Sequence, residues 1–159
     1  MTTPHPTPDP DDEFHPPKSD DPYWTETCWF TFTVPERNLS GQLYPFFRPN
    51  QGVTAGGAYF WDDTGDQPWN CRYGKNFWHL PMPDQPLSDI RLANGIRYRC
   101  VEPLQRYEIG YTDPDGDRIE VDLVFDAVSR PNLLGDSHLD QPGRYTGTIR
   151  LDDDEIEVD

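Results

Sequence analysis

The chain has 159 residues, enough for one folded domain with tails. Its 29 acidic residues outnumber 13 basic ones, giving a formal net charge of -16. Because phosphate groups are bound by basic surfaces, we expect neither nucleic-acid binding nor adsorption to anionic membranes.

Neither targeting nor metal-site signals stand out. No basic leader precedes an apolar segment, and no apolar run approaches the roughly 20 residues of a membrane span. The sequence therefore predicts a cytoplasmic protein without membrane insertion. Cys28, Cys71 and Cys100 are odd in number and widely spaced, which predicts reduced thiols, no metal site and no cofactor.

Residues 1–22 alternate proline with aspartate, threonine and histidine. This composition offers little that could pack and predicts a disordered, polyproline-like tail. His5 and His15 lie in this segment without further metal ligands at fixed spacing, so we expect both to be solvated.

Two aromatic and β-branched segments, residues 24–34 and 42–47, flank a turn-rich stretch and predict a β-hairpin. If the first arm is one extended strand, Glu26 shares a face with aromatic residues. A carboxylate there must find a donor or raise its pKa, because burying its charge is costly. Two interpretations stay open: Glu26 reaches solvent or pairs with an arginine, or it is a proton donor beside an apolar pocket.

Residues 53–61 predict a strand in which Gly56 and Gly57 mark a bulge or a bend. The following residues, 67–86, are aromatic but interrupted by prolines, which predicts an irregular covering loop. Within it, His79 has apolar neighbours, and we expect it to be partly enclosed. It is a candidate acid or base, or else a structural histidine bonded to backbone.

The second half of the sequence predicts a succession of hairpins. Asn94-Gly95 is a turn signal between two short strands, and Arg97 and Arg99 either line a solvated face or provide a partner for Glu26. Residues 104–112 and 118–127 form the clearest hairpin. Further alternating strands are predicted over residues 144–151 and from residue 155 onwards.

Helical periodicity with caps is absent from the sequence. The pattern of up to ten short strands predicts an all-β, antiparallel domain, either a lipocalin-like barrel or a strongly curved sandwich with an aromatic interior. Because barrels of about eight strands can hold one small ligand, an apolar cavity is expected inside.

Three segments carry a resemblance to a known family: Asp-Pro-Tyr-Trp-Thr-Glu-Thr-Cys-Trp-Phe at 21–30, Gly-Ala-Tyr-Phe-Trp at 57–61, and His-Leu-Asp-Gln-Pro-Gly-Arg-Tyr-Thr-Gly at 138–147. Over about residue 20 to the C-terminus, the chain resembles the AttH and carotenoid hydratase group, and more closely a bacterial branch of it. Members of that group have two consecutive lipocalin-like β-barrel domains.

The resemblance implies a division of the chain. Residues 1–22 would be the tail, residues 23–135 a lipocalin-like domain, and residues 136–159 the opening hairpin of a second domain. The Arg-Asp-x-Ser-Trp-Gly signature that usually follows in that branch is not in this sequence. Within the matching part, the resemblance implies a pocket wall formed by residues 24–30 and 59–61.

The leading hypothesis is binding of a hydrophobic small molecule, such as an isoprenoid, a polyketide or a lipid, in a β-barrel pocket. If the protein is catalytic, the implied chemistry is hydration or isomerisation of an alkene, with Glu26 as the proton donor and His79 assisting. The candidate ligand-binding residues are Trp24, Phe30, Phe32, Tyr59, Trp61 and Trp78.

Two alternatives belong to other functional classes. The first is a non-catalytic interaction protein that forms a homodimer, or binds another partner, through exposed strand edges of the C-terminal hairpin. The second is a carbohydrate-binding β module, since tryptophan and tyrosine rings on a sheet suit the faces of sugars.

Overall fold

The computed structural model describes residues 6–65, 67–135 and 137–159. These residues form thirteen β-strands and three short 3-10 turns, each with a proline in its first positions, and they contain no α-helix. The turns are Pro10–Asp12, Pro35–Arg37 and Pro49–Gln51. The strands are β1 Glu26–Thr27, β2 Phe30–Val34, β3 Leu39–Arg48, β4 Val53–Trp61, β5 Tyr73–Pro81, β6 Asp89–Arg91, β7 Ile96–Glu102, β8 Arg106–Thr112, β9 Ile119–Ala127, β10 Asn132–Leu134, β11 His138–Asp140, β12 Gly143–Leu151 and β13 Asp154–Val158.

The strands form two large antiparallel sheets and one small hairpin. The five-stranded sheet has the order β1-β3-β4-β5, with β2 also paired to β3, and the six-stranded sheet has the order β13-β12-β9-β8-β7-β6. Strands β10 and β11 pair only with each other. The predicted all-β, antiparallel architecture is confirmed. Among the described strands none pairs across the two large sheets, so no closed barrel is formed.

The core lies between the two large sheets. Every second residue of β3 is buried, as expected for a strand that packs one face on a core. Nine aromatic rings form a continuous series of contacts through this interior, with centroids 5.1–6.4 Å apart. In order of contact they are Phe30, Tyr98, Tyr107, Phe125, Tyr145, Phe32, Phe60, Tyr73 and Tyr111.

The bulge predicted at Gly56 and the turn predicted at Asn94-Gly95 are both confirmed, and the two contact each other. The register of β4 against β5 shifts between Thr54 and Gly56, and Gly56 has a φ of 104°. A side chain at Gly56 would collide with the Tyr44 carbonyl oxygen, so a residue without Cβ is required. The fully buried Asn94, from the predicted Asn-Gly turn, donates to the Gly56 carbonyl oxygen at 3.2 Å. This bond joins the bulge of one sheet to a turn of the other.

One predicted strand and one predicted loop differ from the structure. The first arm divides into β1 and β2, because Pro45 of β3 lies opposite the break and offers no N–H to continue the ladder. Its carbonyl accepts from the Cys28 N–H at 3.1 Å. The stretch expected to be an irregular loop contains β5, which pairs with β4.

Two observations concern the segments at the two ends of the predicted division of the chain. The segment expected to be a disordered tail includes a 3-10 turn and the buried Asp12, because this side chain finds hydrogen-bond donors on the domain. At the other end, β12 pairs with β9 along its whole length, and residues Ile149, Leu151, Ile156 and Val158 lie in the common core. The hairpin of β12 and β13 is therefore part of the six-stranded sheet. Residues 1–5, with His5, and residue 136 lie outside the described residues.

The described part of the chain contains no helix with the length and apolarity that crossing a bilayer requires.

If the C-terminal hairpin completes the core, substitution of Leu151 by alanine should destabilise the entire domain. Leu151 is fully buried, and we expect a loss of about 2–5 kcal/mol in the free energy of unfolding, measured by urea denaturation. Leu133→Ala is the matched control, because Leu133 is 63% exposed on β10 and its loss should cost at most about 0.5 kcal/mol. A separate transition for the hairpin, with the main transition unchanged, would contradict this assignment.

Candidate ligand-binding face

The two candidate catalytic residues lie far apart. Glu26 belongs to β1 and His79 to β5, and β3 and β4 lie between these strands. With neighbouring strands about 4.8 Å apart, three steps across the sheet separate the two residues by about 14 Å. His79 is also exposed, with a φ of 56°, where partial enclosure was expected. The geometry does not bring the two side chains to one reacting atom.

Glu26 has a partner other than those considered from the sequence. One of its carboxylate oxygens lies 2.6 Å from His15 Nδ1, and the His15 backbone N–H donates to the same carboxylate at 3.2 Å. The hydrogen bond that the His15 ring donates to Glu26 raises the pKa of His15, and Asp11 adds a weaker effect of the same sign. His15 is therefore bonded to the domain rather than only solvated.

The two arginines proposed as partners for Glu26 lie on the six-stranded sheet and form other ion pairs. Arg97 pairs with Asp122, and Arg99 pairs with Glu108 at 2.6 Å. Their face of the sheet is solvated, as one of the two interpretations held.

The six predicted ligand-binding residues do not line one cavity. Phe30 and Phe32 point between the sheets, where their rings contact Tyr98 and Tyr145 at 5.4 Å. Core side chains pack around both rings, although Phe32 and Tyr145 also line an open cleft of about 380 Å³. The described residues include no fully buried side-chain polar atom without a partner. Trp24 is half-buried and precedes β1.

The other three predicted residues lie on the outer face of the five-stranded sheet. Tyr59 and Trp61 pair with Gln42 and Ser40 of β3, whose side chains point away from the core. Both rings are half-buried, and burial raises the pKa of Tyr59. Trp78 is 58% exposed on β5.

A row of contacting rings crosses this outer face. We call it the aromatic strip and define it as Trp29, Tyr44, Phe46 and Trp78. The ring centroids of Trp29 and Tyr44 are 5.0 Å apart, those of Tyr44 and Phe46 are 6.1 Å apart, and those of Phe46 and Trp78 are 5.4 Å apart. The two tryptophans at its ends are 60% and 58% exposed.

The strip follows from the sequence of β3. Residues 43, 45 and 47 are buried, so Tyr44 and Phe46 must point to the opposite face. On β4, Gly57 pairs with Tyr44 and adds no side chain beside it. Trp29 lies in the segment 24–30 that was expected to form a pocket wall, but Trp29, Tyr44 and Phe46 were not among the candidate ligand-binding residues. The signal that could have found them is the presence of aromatic residues on both alternating faces of one strand.

Polar groups border the strip. The Arg48 guanidinium lies 5.4 Å from the Phe46 ring centroid and the same distance from that of Tyr23, within the range of cation–π contacts. Gln42 and Asn76 project from the same face and have no side-chain hydrogen bond to any other described residue. The face thus combines exposed rings with amide groups that are available to a ligand.

The chemistry of the remaining candidates is limited. Cys28, Cys71 and Cys100 are free thiols, and burial raises the pKa of Cys28 and of Cys100 to about 12. No group of three or more His, Cys, Asp or Glu side chains is arranged to hold a metal ion within residues 6–65, 67–135 and 137–159.

Comparison with protein families matches residues 8–159 to a domain of unknown function, DUF7064. No curated protein and no solved structure matches the chain.

The His15–Glu26 contact predicts a specific pH dependence. Because the folded-state pKa of His15 is raised, the contact stabilises fully below the ordinary pKa of histidine and is lost as pH rises through the folded pKa. Glu26→Gln should lower the pKa of His15, measured by NMR titration of its ring. Glu36→Gln, at an exposed carboxylate of another turn, is the control and should leave that pKa unchanged. An unaltered His15 titration in the Glu26→Gln protein would show that the contact is absent.

Proposed function

We propose that this chain, which belongs to the DUF7064 family, is a carbohydrate-binding β domain that holds neutral sugar rings on its aromatic strip. The observation that carries the proposal is the pair of exposed tryptophans, Trp29 and Trp78, at the two ends of a contacting row of rings. Large, contiguous apolar surface exposed on a folded domain typically marks an interaction site.

The mixed character of the face favours a sugar over a purely apolar ligand. A sugar ring has an apolar C–H face that can cover an aromatic ring, and hydroxyl groups at its rim that need hydrogen-bond partners. Gln42 and Asn76 each offer an amide with two donors and an acceptor beside the rings. A hydrocarbon ligand would cover these amides without satisfying them, and that is unfavourable.

Charge narrows the ligand class further. The formal net charge of -16 repels polyanionic glycans. Arg48 is the basic residue at the strip, and its guanidinium already lies over two rings. Neutral oligosaccharides therefore fit the face best.

The hypothesis of an enclosed hydrophobic ligand is less well supported by the geometry. The series of nine rings fills the space between the sheets, and Glu26 and His79 lie on strands at opposite sides of the five-stranded sheet. The lipocalin-like barrel, the resemblance to the AttH and carotenoid hydratase group, and alkene hydration or isomerisation all stay predictions.

Association through strand edges also stays a prediction. Strand β13 is the outermost strand of the six-stranded sheet, and its second edge has no partner among the described strands. Such an edge can pair with another chain, but nothing at this edge favours a particular partner.

Removal of either exposed tryptophan of the strip should weaken sugar binding. We expect Trp29→Ala and Trp78→Ala each to reduce affinity by about tenfold, equivalent to about 1.4 kcal/mol, because a stacked ring is lost. Affinity is measured by isothermal titration calorimetry with a panel of soluble glucose-, galactose- and N-acetylglucosamine-based oligosaccharides.

Trp69→Ala is the matched control. Trp69 is 81% exposed but lies in the loop between β4 and β5, outside the strip. Its substitution should leave affinity unchanged. Equal losses in all three variants, or binding of a polyene such as retinol with no binding of any oligosaccharide, would refute the proposal.

A further inference from the structure

The N-terminal segment covers one end of the space between the two large sheets. We call residues 9–15 the strap. Its contacts reach both sheets: Phe14 packs on Phe47 of β3, and Asp12 contacts Cys100 of β7 and Tyr107 of β8. The strap thus bridges the sheets where their inner faces would otherwise open to solvent.

The Asp12 side chain lies in a pocket formed by Tyr107, Leu104 and Cys100, which we call the carboxylate receptor. Asp12 is 3% exposed, and its carboxylate accepts hydrogen bonds from the Tyr107 hydroxyl at 2.8 Å and the Leu104 backbone N–H at 3.3 Å. The Cys100 thiol lies 3.6 Å away. A further bond comes from within the strap, from the Asp9 backbone N–H at 3.2 Å.

The donors of this receptor on the domain carry no charge. Neither an arginine nor a lysine contacts Asp12 among the described residues. Burial, and the hydrogen bond from Tyr107 to Asp12, raise the pKa of Tyr107, and burial raises that of Cys100 to about 12. Both groups therefore remain protonated donors near neutral pH, as a receptor for a carboxylate requires.

The backbone of the receptor is held in an unfavourable conformation. Leu104 has a φ of 56°, in the left-handed region that a residue with a branched side chain seldom adopts. This turn presents the Leu104 N–H to the carboxylate, while the Gln141 side chain donates to the Leu104 carbonyl oxygen at 2.7 Å. Strain of this kind is typical of sites that bind a ligand.

An apolar subsite lies beside the carboxylate receptor. The Phe14 ring meets the fully buried Phe47 ring edge to face, with centroids 4.8 Å apart. Phe14 and Asp12 are two residues apart, so their Cα atoms are at most about 7 Å apart, the length of two extended residues. The strap therefore presents an aromatic ring and a carboxylate in the way that an aryl-alkyl acid would.

We propose that the site occupied by the side chains of Asp12 and Phe14 binds a small aryl or alkyl carboxylate. The strap is then an intramolecular competitor of that ligand. An incoming ligand places its carboxylate on Tyr107, Leu104 and Cys100 and its apolar part against Phe47. The strap then leaves the end of the sandwich. This site is distinct from the aromatic strip, which lies on the outer face of the same sheet.

The remaining contacts of the strap permit its release. Glu13 bonds the Ser88 hydroxyl, and His15 bonds Glu26 with 46% of its own side chain exposed. The Glu13–Ser88 contact is partly buried, whereas the exposed His15 pair contributes little to stability. Because a tethered competitor acts at an effective concentration in the millimolar range, the free ligand should bind weakly until the strap is loosened.

The test uses the full chain and the probe 4-phenylbutyrate, with 4-phenylbutanol as its neutral counterpart. Phe14→Ala weakens the competitor and leaves the receptor intact, so we expect 4-phenylbutyrate to bind at least about fivefold more tightly than to the unaltered protein. In the Phe14→Ala background, Tyr107→Phe should reduce this affinity by about tenfold through loss of a hydrogen bond to a charged group. Asp20→Asn, at an exposed carboxylate outside the strap, is the control and should change neither value.

Hydrogen exchange of residues 9–15 provides a second readout that needs no variant. Saturating 4-phenylbutyrate should accelerate exchange in the strap of the unaltered protein, whereas 4-phenylbutanol should not. Equal affinity for acid and alcohol in the Phe14→Ala protein, or a strap whose protection is unchanged by bound acid, would overturn the proposal. Asp12→Asn is a second variant that weakens the strap, because it removes the strap's own carboxylate. If 4-phenylbutyrate binds neither the Phe14→Ala nor the Asp12→Asn protein, the proposal is also overturned.

Discussion

The contact between aromatic rings of the two large sheets is the constraint on which the rest of the structure depends. Phe30 on Tyr98, Phe32 on Tyr145 and Tyr73 on Tyr111 join sheets that share no hydrogen-bonded strands among the described residues. Tyr73 and Tyr111 add a hydroxyl–hydroxyl hydrogen bond of 2.7 Å, and burial raises the pKa of both. Because these rings pack against one another between the sheets, the proposed ligand sites lie on the outer face of one sheet and at one end of the sandwich.

The five-stranded sheet is aromatic on both faces. Its inner face supplies Phe32, Phe47 and Phe60 to the core, and its outer face carries the aromatic strip. The outer rings contribute no packing between the sheets, so the contact between the two sheets does not require them. This contrast between a face that joins the sheets and a face that does not is the reason for assigning ligand binding to the strip.

Local sequence signals were sufficient for much of the fold. The turn at Asn94 and Gly95 and the bulge at Gly56 depend on backbone geometry that few residues adopt, and both were predicted. The partner of Glu26 was not predicted, since His15 lies in a segment whose composition suggests a solvated tail. The burial of Asp12 was not predicted either, because it depends on Tyr107, which is 95 residues away. Composition indicates how much a segment can bury, but a single polar side chain can still dock where distant donors converge. The strip was missed in part because β3 has aromatic residues in both alternating sets, so periodicity alone did not separate core from surface.

The most direct test of this account is the mapping of backbone amide chemical shifts in the 15N-labelled protein, saturated with the tightest-binding oligosaccharide of the panel. The account predicts that the changes concentrate on the outer face of the five-stranded sheet, around Tyr44, Phe46 and Trp78. Strands β8 and β9, in the middle of the other sheet, should be largely unaffected. Changes confined to residues between the sheets, such as Tyr98 and Phe125, would contradict the account, because they would show that the ligand enters the interior.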